Sequence, residues 1–236
     1  HEFIHIDSYY GIARLIEQAG RTCYKSESKM TTESAETFCR SILKSGHLSV
    51  IEHATATVRI ICDRGVSHEL VRHRIASFSQ ESTRYANYAA GKYGRQISVI
   101  LPLWYDGIIP TGCYATGELA ILEQQLYDRM DAESKRAAHW LTAVLAAEAA
   151  YLSLIENGAA PQEARAVLPN SLKTEIVMTA NLRQWKHVLG QRCGKACHPQ
   201  MREVMLRLLE DFYNRMPVVF HDEWTRYIAG REVVHV

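Results

Sequence analysis

Three arginines, a histidine and five hydroxyl side chains lie within fourteen residues of this 236-residue chain, in the run Arg72-His73-Arg74-Ile75-Ala76-Ser77-Phe78-Ser79-Gln80-Glu81-Ser82-Thr83-Arg84-Tyr85. Guanidinium groups present paired N–H donors that match phosphate oxygens, and hydroxyls add donors to the same oxygens. The chemistry open to such a run is the holding of a phosphorylated ligand. By composition alone, an exposed loop paired to nearby acids explains it equally well, so spacing and context must decide. Arg59 to Arg95 carries seven basic residues against three acidic ones, and Arg165 to Arg207 carries eight against two. Between them, Glu118 to Glu163 holds eight acids and three bases. The whole chain has a net charge of only +1. Two cationic segments in a near-neutral chain fit a local site for a small polyanion such as a nucleotide, and argue against a general coat for nucleic acid.

Other spacings compete for attention. Cys193-Gly194-Lys195-Ala196-Cys197-His198 sets three residues between its cysteines, where covalent haem attachment needs two, and no second Cys/His cluster completes a closed zinc site. Adjacent Cys197 and His198 would point about 100° apart on a helix, which disfavours a catalytic dyad. His1-Glu2-Phe3-Ile4-His5 matches the zinc-protease spacing, but that arrangement works only on a helix and this terminus is strand-like. No metal is expected. The six cysteines are scattered and are read as reduced thiols.

The elements that must position these residues are legible in outline. Hydrophobic side chains make up 47% and charged ones 22%, the profile of a globular chain with a sizeable core. Leu141 to Ile155 is interrupted by Glu148 and falls short of the roughly 20 apolar residues of a membrane span. With no basic start and apolar run at the amino terminus, a cytoplasmic location and no membrane partner are expected. Glu33 to Lys44 has helical periodicity, with Ser45-Gly46 as its stop, and His53 to Cys62 alternates as a strand. Asp63-Arg64-Gly65 then opens a short helix expected to run to about Arg74, followed by a loop. Ile97 to Leu101 is a second strand, and Glu118 to Asn157 one long helix or two packed ones, closed by Gly158. Pro161 starts a short helix that Pro169 ends, Leu172 to Thr179 is a strand, and Leu182 to about Arg192 and Pro199 to Asn214 are helices. Strands set among helices without βαβ alternation predict an α+β fold, an antiparallel or mixed sheet flanked by helices. One domain over residues 1–236 is expected, with an added helical segment within 104–160. Trp140, Leu141, Val144, Leu145, Tyr151, Leu152 and Ile155 read as core or subunit interface, and Asp128, Asp131 and Glu133 as a solvated face.

Arg-His-Arg, seven residues, then Ser, continued by Arg84-Tyr85, resembles the signature of flavin-dependent thymidylate synthases. Gly46-His47-Leu48-Ser49 with Glu52-His53 resembles the family's early flavin-contacting segment. Ala164-Arg165-Ala166-Val167-Leu168-Pro169, then Asn181-Leu182-Arg183, His187 and Arg192, resembles its carboxyl-terminal half. The likeness covers roughly His47 to Arg207, apart from the acidic helical stretch. It departs at Ser79-Gln80, where the family commonly has Asn-Glu, at Glu69, where many members have Gln, and after Ala196.

The resemblance implies reductive methylation of dUMP to dTMP, with methylenetetrahydrofolate as carbon donor and NADPH-reduced FAD as hydride source. It implies a cofactor site from His47, Ser49, Glu52, Arg72, His73, Arg74, Gln80, Asn181, Leu182, Arg183 and His187. Substrate contacts would come from Glu69, Arg72, Gln80, Glu81, Ser82, Thr83, Arg84, Tyr85, Arg165 and Arg192. Arg192 would be catalytic, its permanent charge stabilising negative charge on the uracil ring. Glu69 would be neutralised by Arg72 or His73 on the same helix face. A homotetramer is implied, with sites built from different subunits. Two other readings stay open on the residues alone: a nucleotide- or RNA-binding module using the Arg/Tyr loop without catalysis, and a zinc-stabilised structural protein centred on Cys193, Cys197 and His198.

Overall fold

The computed structural model of the chain describes residues 1–129 and 131–229. The expected single domain also takes in Met130 and residues 230–236, which lie outside the described residues. In chain order come β1 (Glu2–Ile6), α1 (Tyr9–Thr22), α2 (Ser34–Lys44), β2 (Thr55–Asp63), α3 (Arg64–Leu70), β3 (Ala76–Gln80), β4 (Ser98–Ile100) and β5 (Cys113–Ala115). Then follow α4 (Thr116–Asp128), α5 (Ala132–Glu156), α6 (Pro161–Ala164), β6 (Lys173–Asn181), α7 (Leu182–Arg192), α8 (Pro199–Arg215) and α9 (Pro217–Tyr227). The main sheet has strand order β1-β2-β6-β3, with β1 antiparallel to β2, and β4 and β5 form a separate antiparallel pair. The fold is α+β.

By its contacts the chain divides into two compact units, with boundaries inside strands β2, β3 and β6. The first comprises residues 1–60, 73–79 and 177–236, and the second 61–72 and 80–176. In the first, β2 and β6 bury alternate side chains, among them Ala56, Val58, Met178 and Ala180. Trp185 on α7 is fully buried against Phe212 of α8, ring centroids 5.2 Å apart, and Phe212 in turn packs on Phe220 of α9 at 4.6 Å. Burying side chains of this size contributes about 1.5–3 kcal/mol each. The Trp185 indole N–H donates to the Ala56 carbonyl at 3.1 Å, so the ring enters the core with its polar atom satisfied. Asn181 caps α7, its Oδ1 accepting from the Gln184 N–H at 2.8 Å, which starts the helix one residue past the strand.

In the second unit α4 and α5 pack together, and Leu141, Val144 and Tyr151 of α5 are buried with Ile97, Val99 and Leu119. Asp131, expected on a solvated face, also serves the helix that follows it. Its Oδ1 accepts from the Ser134 N–H at 2.8 Å and caps α5. At the far end Gly158, at φ +91°, makes the left-handed stop that the sequence predicted. α5 runs 25 residues with a mean hydropathy of 1.4 in its most apolar window, so by length and composition it reaches what a spanning helix needs. The apolar stretch Leu141 to Ile155 is only part of this helix, which lies within the helical span Glu118 to Asn157 expected from the sequence. Within this unit, however, Glu148 of α5 accepts from the Ile97 N–H at 2.6 Å and from the Thr116 hydroxyl, which makes α5 the spine of a packed core.

Two local expectations change. α3 ends at Leu70, four residues before the expected end, where the Val71 N–H bonds the Ser67 carbonyl at 3.1 Å. Arg72, His73 and Arg74 therefore leave the helix and do not share a helix face with Glu69. The predicted loop after Arg74 is instead strand β3, consistent with the Ser77, Ser79 alternation around Phe78. At the amino terminus the His-Glu-x-x-His spacing lies on β1, where His5 pairs in register with Thr57 and His1 Nε2 meets Asp211 at 2.6 Å. It is held strand and not helix, so it lacks the helical setting that the zinc-protease spacing requires.

Candidate functional site

In the first unit, a cleft of about 330 Å³ is lined by Glu52, Ile75, Asn181, Arg183, Gln184 and His187. Helix periodicity explains part of this convergence, since Arg183 and His187 stand at i and i+4 on α7. Glu52 comes from the 3₁₀ turn Leu48–His53, and its Oε1 accepts from Arg183 Nη1 at 2.6 Å. Ile75 takes φ +63°, a left-handed conformation that a β-branched residue rarely adopts, and its side chain is 78% exposed. A backbone of this kind costs of the order of 1–3 kcal/mol and persists only where its surroundings impose it. Here it turns the Arg-His-Arg segment into β3 and leaves an apolar side chain at the cleft.

His73 is the buried member of that segment, and its ring lies 6.2 Å from that of His187, edge to face. Arg192, in the last turn of α7, donates through Nε to His73 Nε2 at 2.9 Å. Burial, then the positive charge of Arg192, then His187, push the His73 pKa down to about 4. The imidazole is therefore neutral across the physiological range, with its proton on Nδ1 so that Nε2 can accept.

In the second unit, a cleft of about 230 Å³ is lined by Arg64, His68, Thr83, Arg165 and the turn Leu168 to Asn170, among others. Arg165 Nη1 donates to the Thr83 hydroxyl at 3.4 Å, and Arg64 Nη1 to the Glu81 carbonyl at 3.3 Å and the Thr174 hydroxyl at 3.5 Å. Both arginines are thus directed by neutral oxygens, which leave their charge in place for an anion. Gln80 Nε2 donates to Ser67 Oγ at 2.8 Å and Thr174 Oγ1 at 3.2 Å, which ties the strand end to α3. The Glu81 carboxylate receives Lys173 Nζ at 3.4 Å and the Tyr88 hydroxyl at 3.3 Å. Burial and the Glu81 charge push the Tyr88 hydroxyl up, so it stays a donor.

Of the residues expected at a cofactor, the first cleft gathers Glu52, Asn181, Arg183 and His187, with His73 beside His187. His47, Ser49 and Arg74 are exposed in the same unit but do not line that cleft. Leu182 is buried, and its N–H is taken by the Ala54 carbonyl at 2.9 Å. Of those expected at a substrate, Thr83 and Arg165 meet in the second cleft. Ser82 Oγ accepts the Arg84 N–H at 3.3 Å, and the Arg84 guanidinium lies over the exposed Tyr85 ring at 5.6 Å. Arg72 is exposed and Glu69 half-buried, and neither lines the second cleft. Sequence reasoning did not select Arg64, His68, Ile75 or Gln184. The Arg64/His68 pair was findable as nitrogen donors four apart at the start of a predicted helix.

Burial pushes the Cys39 and Cys62 thiols up to about 12, so neither is an activated nucleophile. Cys193 caps the end of α7 in a buried position, its carbonyl accepting from Arg202 Nε at 3.2 Å. Among the described residues, no group of three or more His, Cys, Asp or Glu side chains converges as a metal site would require.

The family model described as thymidylate synthase complementing protein matches residues 6–218. The flavin-dependent thymidylate synthase of Corynebacterium aurimucosum is 33% identical over 214 residues, covering 88% of this chain and 78% of the relative. That of Mycolicibacterium gilvum is 34% identical over 227 residues, covering 94% and 84% respectively. That of Geobacter sulfurreducens is 31% identical over 219 residues, covering 90% and 82%.

Proposed function

The chain belongs to the flavin-dependent thymidylate synthase family, an enzyme family, and from that premise we propose that it converts dUMP to dTMP. In this reading methylenetetrahydrofolate gives the carbon, FAD carries the hydride and NADPH reduces the flavin. The observation that carries it is the first unit's cleft, where Asn181, Arg183 and His187 line the cavity and His73 joins His187 to Arg192. These are the residues that the family resemblance selects from positions far apart in sequence.

The residues present fit a flavin. The cleft of about 330 Å³ suits one portion of a dinucleotide, and it combines the apolar Ile75 with amide, guanidinium and imidazole donors. Asn181, Arg183 and His187 would hold the group there, with His73 and Arg74 adjoining. When bound and reduced, the flavin supplies the hydride that completes the methyl group. Arg192 has the chemistry of an electrostatic catalyst: always charged, placed at a helix end and bonded through Nε to His73. It would hold negative charge on the pyrimidine ring while the new carbon bond forms. Thr83 and Arg165, with Arg64 and His68, would take the nucleotide phosphate. The charges of Arg64 and Arg165 are directed by neutral oxygens, which suits a dianion. No protein nucleophile is needed, in keeping with the raised Cys39 and Cys62 thiols. Assembly as a homotetramer belongs to the same proposal.

The test is the visible spectrum of protein incubated with FAD and freed of unbound dye, followed by a product assay. Bound flavin that bleaches with NADPH, and dTMP formed only when dUMP and methylenetetrahydrofolate are both added, is the expected result. Tight dUMP binding with no flavin retained would replace this reading with a nucleotide-binding module.

A further inference from the structure

In the second unit, Arg64 belongs to a closed ring of hydrogen bonds that runs through Ser67, Gln80 and Thr174. Ser67 Oγ donates to the Arg64 carbonyl at 2.9 Å. With that hydrogen spent, the buried Ser67 oxygen can only accept, so the group of Gln80 that faces it at 2.8 Å must be the amide nitrogen and not the amide oxygen. The same Nε2 donates to the buried Thr174 hydroxyl at 3.2 Å, and Arg64 Nη1 reaches that oxygen too, at 3.5 Å. Gln80 thus meets Arg64 twice, through Ser67 at its backbone and through Thr174 at its guanidinium.

The carboxylate next in the chain is engaged elsewhere. Glu81 receives Lys173 at 3.4 Å and the Tyr88 hydroxyl at 3.3 Å, and it is the Glu81 backbone carbonyl that Arg64 bonds, at 3.3 Å. A carboxylate at position 80 would reverse the arrangement. Ionised, it has no hydrogen for Thr174, it would draw the Ser67 hydrogen away from the Arg64 carbonyl, and it would stand one shared acceptor away from the guanidinium as an ion-pair partner.

We propose that Gln80 is the positioning residue of Arg64: a neutral double donor that fixes the guanidinium beside the second cleft and keeps a carboxylate off it, so that its charge stays available to a ligand's phosphate. This rests on the reading that Arg64 takes the nucleotide phosphate. It also gives Gln80, one of the chain's departures from the family pattern, a task of its own.

The test is a calorimetric titration of dUMP into the flavin-loaded protein, with Arg64→Ala as reference. Arg64→Ala should weaken dUMP binding about 10- to 100-fold, as loss of a charge-assisted hydrogen bond does. Gln80→Met keeps the length of the side chain and removes both donors. It should weaken dUMP about fivefold, weaken competition by inorganic phosphate by a similar factor, and cost nothing further in the Arg64→Ala background. Gln80→Glu should lose at least as much as Arg64→Ala, because the new carboxylate captures the guanidinium. The same loss from Gln80→Met in both backgrounds, a loss that spares inorganic phosphate, or unchanged dUMP affinity in Gln80→Glu would overturn the proposal. Unchanged affinity in Arg64→Ala would instead remove the reading of Arg64 on which it rests. Where Gln80→Met fails to fold, Thr174→Val is isosteric and removes the oxygen that the two side chains share. A loss of about fivefold that vanishes in the Arg64→Ala background is then expected, and unaltered dUMP affinity would overturn the proposal.

Discussion

The two clefts handle their arginines in opposite ways. In the first unit Arg183 faces the Glu52 carboxylate at 2.6 Å, so its charge is partly answered before any ligand arrives. In the second unit Arg64 and Arg165 are directed by a carbonyl and by threonine hydroxyls. A carboxylate partner restrains a cation and competes with anions, whereas a neutral partner restrains it and does not. The difference divides the labour: cations are aimed by neutral groups around Arg165, where a phosphate would use their charge, and moderated at Arg183, where a large cofactor would lie.

The sharpest break in this contrast is Arg192→Ala. It removes the guanidinium that donates to His73, and dTMP formation should fall by about 10²–10³-fold or more, with flavin still retained. A product assay alongside the visible spectrum reads both. Near-normal turnover would show that the charge at Arg192 does not serve the reaction.

A stability measurement tests the same pairing without substrate. The folded His73 pKa of about 4 lies below its ordinary value of 6.5, so the unfolded chain binds the extra proton first. The sign follows: above pH 6.5 both states are neutral there and nothing is lost, while between pH 6.5 and 4 the folded state loses ground. The loss should reach on the order of 2 kcal/mol by pH 5, seen as a lower denaturant midpoint that His73→Gln largely abolishes. Glu17 does not confuse the comparison. Burial pushes its carboxyl up, but the Ser34 hydroxyl, Arg21 and Arg14 together hold it below its ordinary 4.5. Its contribution is present above that value and fades only at more acid pH.

In the second cleft, Arg165→Ala should weaken dUMP binding about 10- to 100-fold, the worth of a charge-assisted hydrogen bond, and leave flavin retention unchanged. Calorimetry at two salt concentrations sharpens the contrast further, since dUMP affinity should fall more steeply with salt than FAD affinity. Equal salt slopes would mean that the neutral partners of Arg64 and Arg165 do not set the clefts apart.

How much of this was legible depended on the range of the interaction. α7 was readable to the residue because Asn181 is a local cap and Trp185, Val188 and Leu189 follow at helical spacing. The α4 and α5 pair was readable because Gly158 is a local stop. The end of α3 was not, since the turn at Val71 and the strained Ile75 answer to packing and not to propensity. The resemblance selected His73, Arg183, His187 and Arg192 as site residues, but which of them meet was hidden. The His73–Arg192 and Glu52–Arg183 contacts join segments 119 and 131 residues apart. Arg64 and His68 were overlooked although they stand four apart on one helix face, because a short helix opening with arginine reads first as a solvated end.

The smallest expected effect is the most discriminating for the first cleft. Glu52→Gln keeps the shape of the side chain and removes the charge that answers Arg183. Both side chains are well exposed, so the ion pair itself contributes about 0–1 kcal/mol and the fold should be unaffected. If Glu52 moderates Arg183, then FAD should bind up to about fivefold more tightly in the variant, since a phosphate oxygen no longer competes with a carboxylate. Weaker binding would reverse the assignment and make Glu52 a direct acceptor for the cofactor. A fluorescence titration of FAD at low ionic strength separates the two, because the competing-carboxylate effect shrinks as salt rises while the loss of a direct hydrogen bond persists.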